Sequence, residues 1–285
     1  MKRQNIFTLT LILSAIVMIE LILLGNAVSW TGFAGKTLWD WLDLFIIPLV
    51  LAVIAFWLNR SQKEREQQIS SDNLHETELQ AYLESMSKLL LEKRLREKDP
   101  DSDERLIARA NTLRAFRKLD NKRKKYVLDF LNEAELIAYD TKSDVQPIVL
   151  LSGANLEGLD LSGADLTGLD LRAVSLTQVN LKDALLVDAN LDHAVLRNAD
   201  LKGANLSGAF LNFADLSYAD LRSTKLHKAE LFTAKLVGAD LRKTDLSEAD
   251  LTSADLSGAT LDHWDQLKSA ASLENTVLPN NIIRD

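Results

Sequence analysis

Residues 199–221 read ADLKGANLSGAFLNFADLSYADL, and the spacing of the leucines in that stretch decides the fold: five residues, every time. The beat starts at Leu151 and runs to Leu261 without a miss. The position two before each leucine is nearly as narrow, being alanine in most units and otherwise Val149, Leu159, Leu169, Val174, Val179, Thr224 or Thr244. In extended backbone, residues two apart share a face. Each unit therefore buries a leucine and a small neighbour, then turns a corner with Asp, Asn, Ser, Thr, Lys or Arg facing outward. A helix is excluded, because a period of five would carry the leucines around its whole circumference. The expected core includes Leu156, Leu161, Leu166, Leu201, Leu206, Leu216, Leu241 and Leu251.

The units are variations on A(D/N)LSG, as at 154–158, 164–168, 204–208 and 214–218. These blocks resemble the pentapeptide-repeat family. The resemblance implies an all-β, right-handed quadrilateral β-helix with four units per coil, which here gives a rod of about six coils and roughly 25–30 Å. A helical segment ahead of the repeats is also similar to membrane-tethered bacterial members, cyanobacterial ones especially. A rod of this kind offers walls and no deep pocket. Its open ends need covers, and 263–285, which leaves the beat with a short helical stretch, is read as the C-terminal cap.

Working outward, the N-terminal part differs in kind. Ile6–Leu24 is apolar apart from threonines, Ser14 and Glu20, and about Trp41–Leu58 is apolar around Pro48. Each is long enough to read as a bilayer span, with Trp30, Trp39, Trp41 and Trp57 at headgroup level. Lys2 and Arg3 before the first span, and Arg60, Lys63 and Arg65 after the second, orient the hairpin with both termini cytoplasmic, in a bacterial plasma or internal membrane. A cleaved signal peptide ending near 27–29 is the rival reading. Glu20 and Asp43 are the membrane carboxylates, read either as a titrating site or as groups reaching water at the membrane edge.

Between spans and repeats the chain is highly charged. Leu79, Leu83, Met86 and Leu90 form a short seam suited to a helical partner, and homo-oligomerisation is one expectation. Residues 99–104 read as a break and helix start. Leu106, Ala110, Leu113 and Phe116 mark one helical face, and Val127, Phe130, Ala134 and Ile137 another, giving a helical hairpin. Lys122, Arg123, Lys124 and Lys125 form its densest basic cluster, a candidate lipid or anion contact. The expected architecture is thus mixed: a two-helix transmembrane hairpin over 1–59, a charged α-helical cytoplasmic region over 60–147, the β-solenoid over 148–262, and a short helical cap and tail over 263–285.

The chain has 285 residues, no cysteine and a net charge of −8. Disulfide and thiolate-metal frameworks are excluded. The acidic excess lies in the repeats, the wrong sign for nucleic-acid binding. Phosphate-loop and zinc-helix motifs are absent and the four histidines are scattered. No catalytic, cofactor or metal set is expected, and the chain is not read as an enzyme. Positions twenty apart should stack, placing Lys182, Lys202, Arg222 and Arg242 in one column beside Asp200, Asp220 and Asp240. His193, Phe210, Phe213 and Phe232 gather on another wall as a candidate partner-binding patch. The leading functional reading is a membrane-anchored scaffold that binds a protein through its solenoid walls. The alternatives are an acidic mimic of DNA that binds topoisomerase, as the resemblance suggests, and membrane sensing or transport through Glu20 and Asp43.

Overall fold

In the computed structural model, residues 47–138 and 146–279 are described. The chain divides into two compact units, Met1–Ser70 and Ser71–Asp285. Helix α1 (Ile47–Leu91) runs through the division. Within the first unit it carries exposed Leu51 and Trp57 and an Arg60–Glu64 ion pair of 2.9 Å.

The expected transmembrane hairpin and integral membrane placement are corrected here. Among the described residues no helix is long and apolar enough to cross a membrane. The apolar start of α1, Ile47–Leu58, advances about 18 Å at the helical rise before Asn59 and Arg60 interrupt it, against a hydrocarbon thickness of about 30 Å. The first proposed span, Ile6–Leu24, lies outside the described residues, as do Glu20 and Asp43.

In the second unit the repeats form a four-sided solenoid. Parallel bridges join residues twenty apart, one per five-residue unit, from Asn155–Ser175 to Asp240–Thr260. The expectation of an all-β region needs one refinement: these are isolated bridges, not strands. A turn in every unit leaves one ladder position between corners. The ladder is still complete along each edge, with Leu161 N–H donating to Asn180 O at 2.8 Å and Asn180 N–H to Leu159 O at 2.9 Å.

The interior is an aliphatic column. Leu156, Leu161, Leu166, Leu201, Leu206, Leu216, Leu241 and Leu251 are all buried, with an alanine or its substitute beside each. Burial is worth about 1.5–3 kcal/mol for each leucine, before chain ordering is charged against it. Thr224 and Thr244 occupy alanine positions at no loss of polar pairing, since their hydroxyls donate to Leu201 O and Leu221 O of the preceding coil at 2.8 and 2.6 Å. The residue before the leucine is so often Asp or Asn because its side chain closes the corner. Asp160 Oδ1 accepts from Ser162 N–H at 3.1 Å, and Asn205 Oδ1 from Ser207 N–H at 3.2 Å.

The helical segment covers one end of this column. Helix α2 (Asp103–Lys118) and helix α3 (Asn121–Glu133) pack with the C-terminal part of α1, burying Leu79, Tyr82, Met86, Phe116, Val127, Leu128 and Leu131. The seam of α1 is thus occupied within the chain, where Tyr82 OH meets Thr112 Oγ1 at 3.1 Å and the Phe130 ring edge-on at 6.5 Å. On α2 the buried face is Ala108, Thr112, Ala115 and Phe116, while Leu106 is exposed. The face anticipated from Leu106 is therefore rotated.

Leu136 and Ile137 lie beneath the first coils, and the backbone pairs there. Val149 N–H donates to Leu136 O at 2.8 Å, Asp170 N–H to Ile137 O at 3.0 Å, and Ala138 forms an antiparallel bridge with Leu169. Asn121 and Asn132 of α3 donate to Gly158 O and Asp165 O at 2.9 and 3.1 Å. Carbonyls at the first edge of the solenoid are satisfied by the helices, which closes an otherwise adhesive end.

At the other end, helix α4 (Asp265–Lys268) buries its own Leu267. The last bridges, Asp250–Ser272 and Asp255–Val277, span two more residues than the repeat because this turn is inserted. Gln266 Nε2 donates to Leu241 O and Thr244 O at 3.1 and 3.2 Å.

Candidate partner-binding wall

On the wall that carries residues 190–193, 210–213, 230–233 and 250–253, two of the four corners lack the usual acceptor. Asn190 and Asp250 close their corners in the usual way, accepting from Asp192 N–H at 3.1 Å and Thr252 N–H at 2.9 Å. Phe210 and Glu230 stand between them, and neither offers that short acceptor. The N–H groups they leave are taken by the coil below: Asn212 N–H donates to Asp192 Oδ1 at 2.8 Å, and Phe232 N–H donates to Asn212 Oδ1 at 3.1 Å. Asn212 also donates from Nδ2 to Glu230 Oε2 at 3.0 Å. A polar ladder running up the wall replaces the corner bonds, which frees positions for large side chains.

Three rings use that freedom. His193 and Phe213 stack one coil apart, with centroids 4.8 Å apart and planes 3° from parallel. Phe232 meets Phe213 edge-on at 5.5 Å and 83°. Phe213 remains 47% exposed and Phe232 40%. His193 and Phe213 both have φ of 59°, the left-handed backbone that each unit requires at this corner and that glycine supplies without strain elsewhere. Phe210 is half-buried in the adjacent column, bridged to Asn190 and Glu230, and lies outside the stack.

Burial raises the Asp192 carboxyl above its usual range, opposed by the Asn212 N–H and reinforced by the negative charge of Glu230. Neither carboxylate has an ion-pair partner among the described residues. Nearby cations are engaged elsewhere, Arg197 with Asp215 at 3.4 Å and Lys228 with Glu248 at 3.5 Å.

The charged columns on the opposite wall are neutralised within themselves at Asp220 and Asp240. Arg222 holds Asp220 within its own unit and reaches Asp240 at 3.6 Å, and Arg242 pairs with Asp240 at 2.5 Å. The Arg222 hydrogen bonds hold the Asp220 carboxyl below the usual carboxylate range against the effect of burial, and Arg242 does the same for Asp240.

The basic cluster at 122–125 is split by the fold. The Arg123 side chain, only 10% exposed, joins Asp72 at 2.9 Å, Glu76 at 3.1 Å and Asp120 at 2.5 Å, tying α3 to α1. Lys124 is buried, and desolvation lowers its pKa. Lys122 and Lys125 line an open groove of about 420 Å³ between α3 and the first coil, shared with Asp129 and Asp160. Desolvation raises the Asp129 carboxyl there, against the pull of Lys125. The cluster is thus a structural clamp plus two lysines facing carboxylates, which is a poor anion receptor.

One grouping brings together residue types used by hydrolases. His227 Nδ1 lies 2.9 Å from Ser247 Oγ, but that hydroxyl donates its proton to Asp245 Oδ1 at 2.6 Å. A nucleophilic serine hands its proton to the imidazole; here the order is inverted. Among the described residues no group of His, Asp and Glu is arranged to hold a metal ion.

The pentapeptide-repeat model matches residues 149–183, 175–212, 194–231 and 229–262. The chain belongs to the pentapeptide-repeat family, and its solenoid is the right-handed β-helix of that family. Solved structures similar to it include the following three. A pentapeptide-repeat protein of the Arabidopsis thaliana thylakoid lumen is 35% identical over 34% of this chain and 65% of its own, with a TM-score of 0.22. HetL, a pentapeptide-repeat protein involved in heterocyst differentiation regulation in the cyanobacterium Nostoc sp. strain PCC 7120, is 30% identical over 48% of this chain and 75% of its own, with a TM-score of 0.21. QnrB1, a plasmid-mediated fluoroquinolone resistance protein, is 21% identical over 45% of this chain and 84% of its own, with a TM-score of 0.14. The chain therefore spans about two thirds of the length of the Arabidopsis relative. Comparison with curated proteins found no match. Membership rests on the repeats and not on these global superpositions.

Proposed function

We propose that this protein is a non-catalytic interaction scaffold that binds a protein partner through the solenoid wall bearing His193, Phe213 and Phe232. The observation that carries the reading is the exposed ring stack itself. Two phenylalanines stand nearly half open to water on a rigid surface, at a place where the usual corner acceptors have been given up and their bonds rebuilt across coils. Exposed aromatics on a preorganised surface suit recognition, because little side-chain entropy is lost on contact. The solenoid contributes placement and rigidity; the wall contributes selectivity.

The alternative of an acidic DNA mimic has less support. Such a mimic needs an unbroken anionic surface, and the Asp220–Arg222 and Asp240–Arg242 pairs neutralise the column best placed to form one.

Affinity capture from the native host with the full chain, set against its Phe213→Ser/Phe232→Ser variant, tests the reading. The expected result is loss of a specific captured protein while the melting temperature falls by no more than a few degrees. An identical captured set from both would overturn it.

A further inference from the structure

The aromatic stack lies on the same wall as Asp192 and Glu230, two carboxylates with no ion-pair partner among the described residues, and together they specify more than a generic apolar contact. Glu230 is exposed, Asp192 is half-buried, and Asn212 connects them, accepting nothing charged and supplying no cation. Phe232 follows Glu230 by two positions, and Phe213 stacks on the His193 that follows Asp192. Along this wall Asp192, Glu230 and Asp250 face outward, whereas Asp170 is buried and matched by Arg172 at 2.6 Å. An apolar partner surface laid over the rings would bury Asp192 and Glu230 with only the Asn212 N–H groups to offset their charge, which is unfavourable. A partner with a planar cation relieves that cost, because a guanidinium stacks on an aromatic ring while its edge donates to carboxylates.

We infer that the occupant of this wall is an arginine-bearing segment of a partner protein, with the guanidinium lying against the Phe213–Phe232 step and its N–H groups directed to Glu230 and Asp192. The inference rests on the scaffold reading above and gives it a chemical specificity. Arginine is preferred over lysine because an ammonium cannot use ring face and paired carboxylates with one rigid plane.

Fluorescence anisotropy with the full chain and three labelled peptides of equal length, alternating glycine with arginine, lysine or citrulline, tests this. The arginine peptide should bind about threefold or more tightly than the lysine peptide, and the citrulline peptide weakest. In Phe213→Ser/Phe232→Ser the arginine-to-lysine ratio should fall to about one, while residual binding of both to the acidic repeats persists. In Asp192→Asn/Glu230→Gln both cationic peptides should weaken together. Circular dichroism and melting of each variant confirm that the wall is intact, and Phe232→Ser alone supplies a milder version if the double variant is disturbed. An arginine-to-lysine ratio unchanged by loss of the rings overturns the inference. Affinity capture run in parallel separates the two levels. A partner lost from the ring variant but kept by Asp192→Asn/Glu230→Gln sustains the scaffold and overturns the arginine chemistry; a captured set indifferent to both variants overturns the scaffold.

Discussion

The solenoid and the helical segment that covers it build their cores in opposite ways. In the solenoid one leucine and one small residue recur in each unit, and every coil buries the same shape against its neighbours. In the helical segment no position repeats. Its interior is assembled from singular pairings, such as the Tyr82–Thr112 hydroxyls and Arg123 among Asp72, Glu76 and Asp120. A periodic core gains stability from cooperation between equal neighbours. An aperiodic one depends on a few residues whose loss has no substitute. The interface between them, Leu136 to Ala138 against the first coils, is where one mode passes into the other.

The sharpest way to break this contrast is a charge in the column. Leu206→Asp should cost more than about 4 kcal/mol, because a buried carboxylate has no partner there and both adjoining coils lose their packing. Urea unfolding followed by circular dichroism reads it. At the junction, Ile137→Asp should cost about 3 kcal/mol and also open the first edge of the solenoid. Light scattering should then rise with concentration, an outcome that a core substitution in α2 would not share.

Arg123→Met comes next. Its acidic partners are largely exposed, so the loss should be about 1–2 kcal/mol and not the larger penalty of a fully buried pair. The sign of its pH dependence follows from the same contacts. Burial opposes ionisation of Asp120, yet the Arg123 backbone N–H and guanidinium outweigh it and hold the carboxyl below its usual range; Glu76 is lowered by Gln80 and then by Arg123. A carboxyl depressed on folding adds stability that is present above its unfolded pKa and is lost as pH falls through the folded one. Melting temperature should therefore drop below about pH 4 in the native protein, and drop less steeply in Arg123→Met. The smallest stability effect belongs to the wall: Phe213→Ser/Phe232→Ser should cost under about 1 kcal/mol, measured by thermal melting, while abolishing partner capture.

The same contrast explains what could be read in the chain. The solenoid was legible because its five-residue period survives every substitution, and even Thr224 and Thr244 keep the shape of the column. The aromatic wall is visible as a gathering of rings about one coil apart, within which the structure stacks His193, Phe213 and Phe232 and leaves Phe210 in the bridged column. What separates it from Phe213 is three positions within the unit, the difference between a bridged position and a corner. A further signal lay in the missing Asp or Asn at 210 and 230, whose meaning depends on Asp192 and Asn212 one coil below.

The helical segment resisted reading for a physical reason. Its charged residues turn inward: Arg123 and Lys124 read as half of a free basic patch, and Arg123 is held by Asp72 and Glu76 about fifty residues earlier. The α1 seam at Leu79 and Met86 resembled a subunit contact because its true partners, α2 and α3, are matched by shape and not by spacing. The apolar start of α1 resembled the end of a membrane span, yet only Ile47–Leu58 of it belongs to the described helix.

Native-state hydrogen exchange on the full chain tests the account most directly. If the helical segment is the cover on which the column depends, the backbone amides of Val149, Asp170 and the leucines from Leu156 to Leu256 should exchange through one cooperative opening, at the same free energy as the buried amides of α3. Protection of the leucines that is undiminished when α3 has already opened would contradict it.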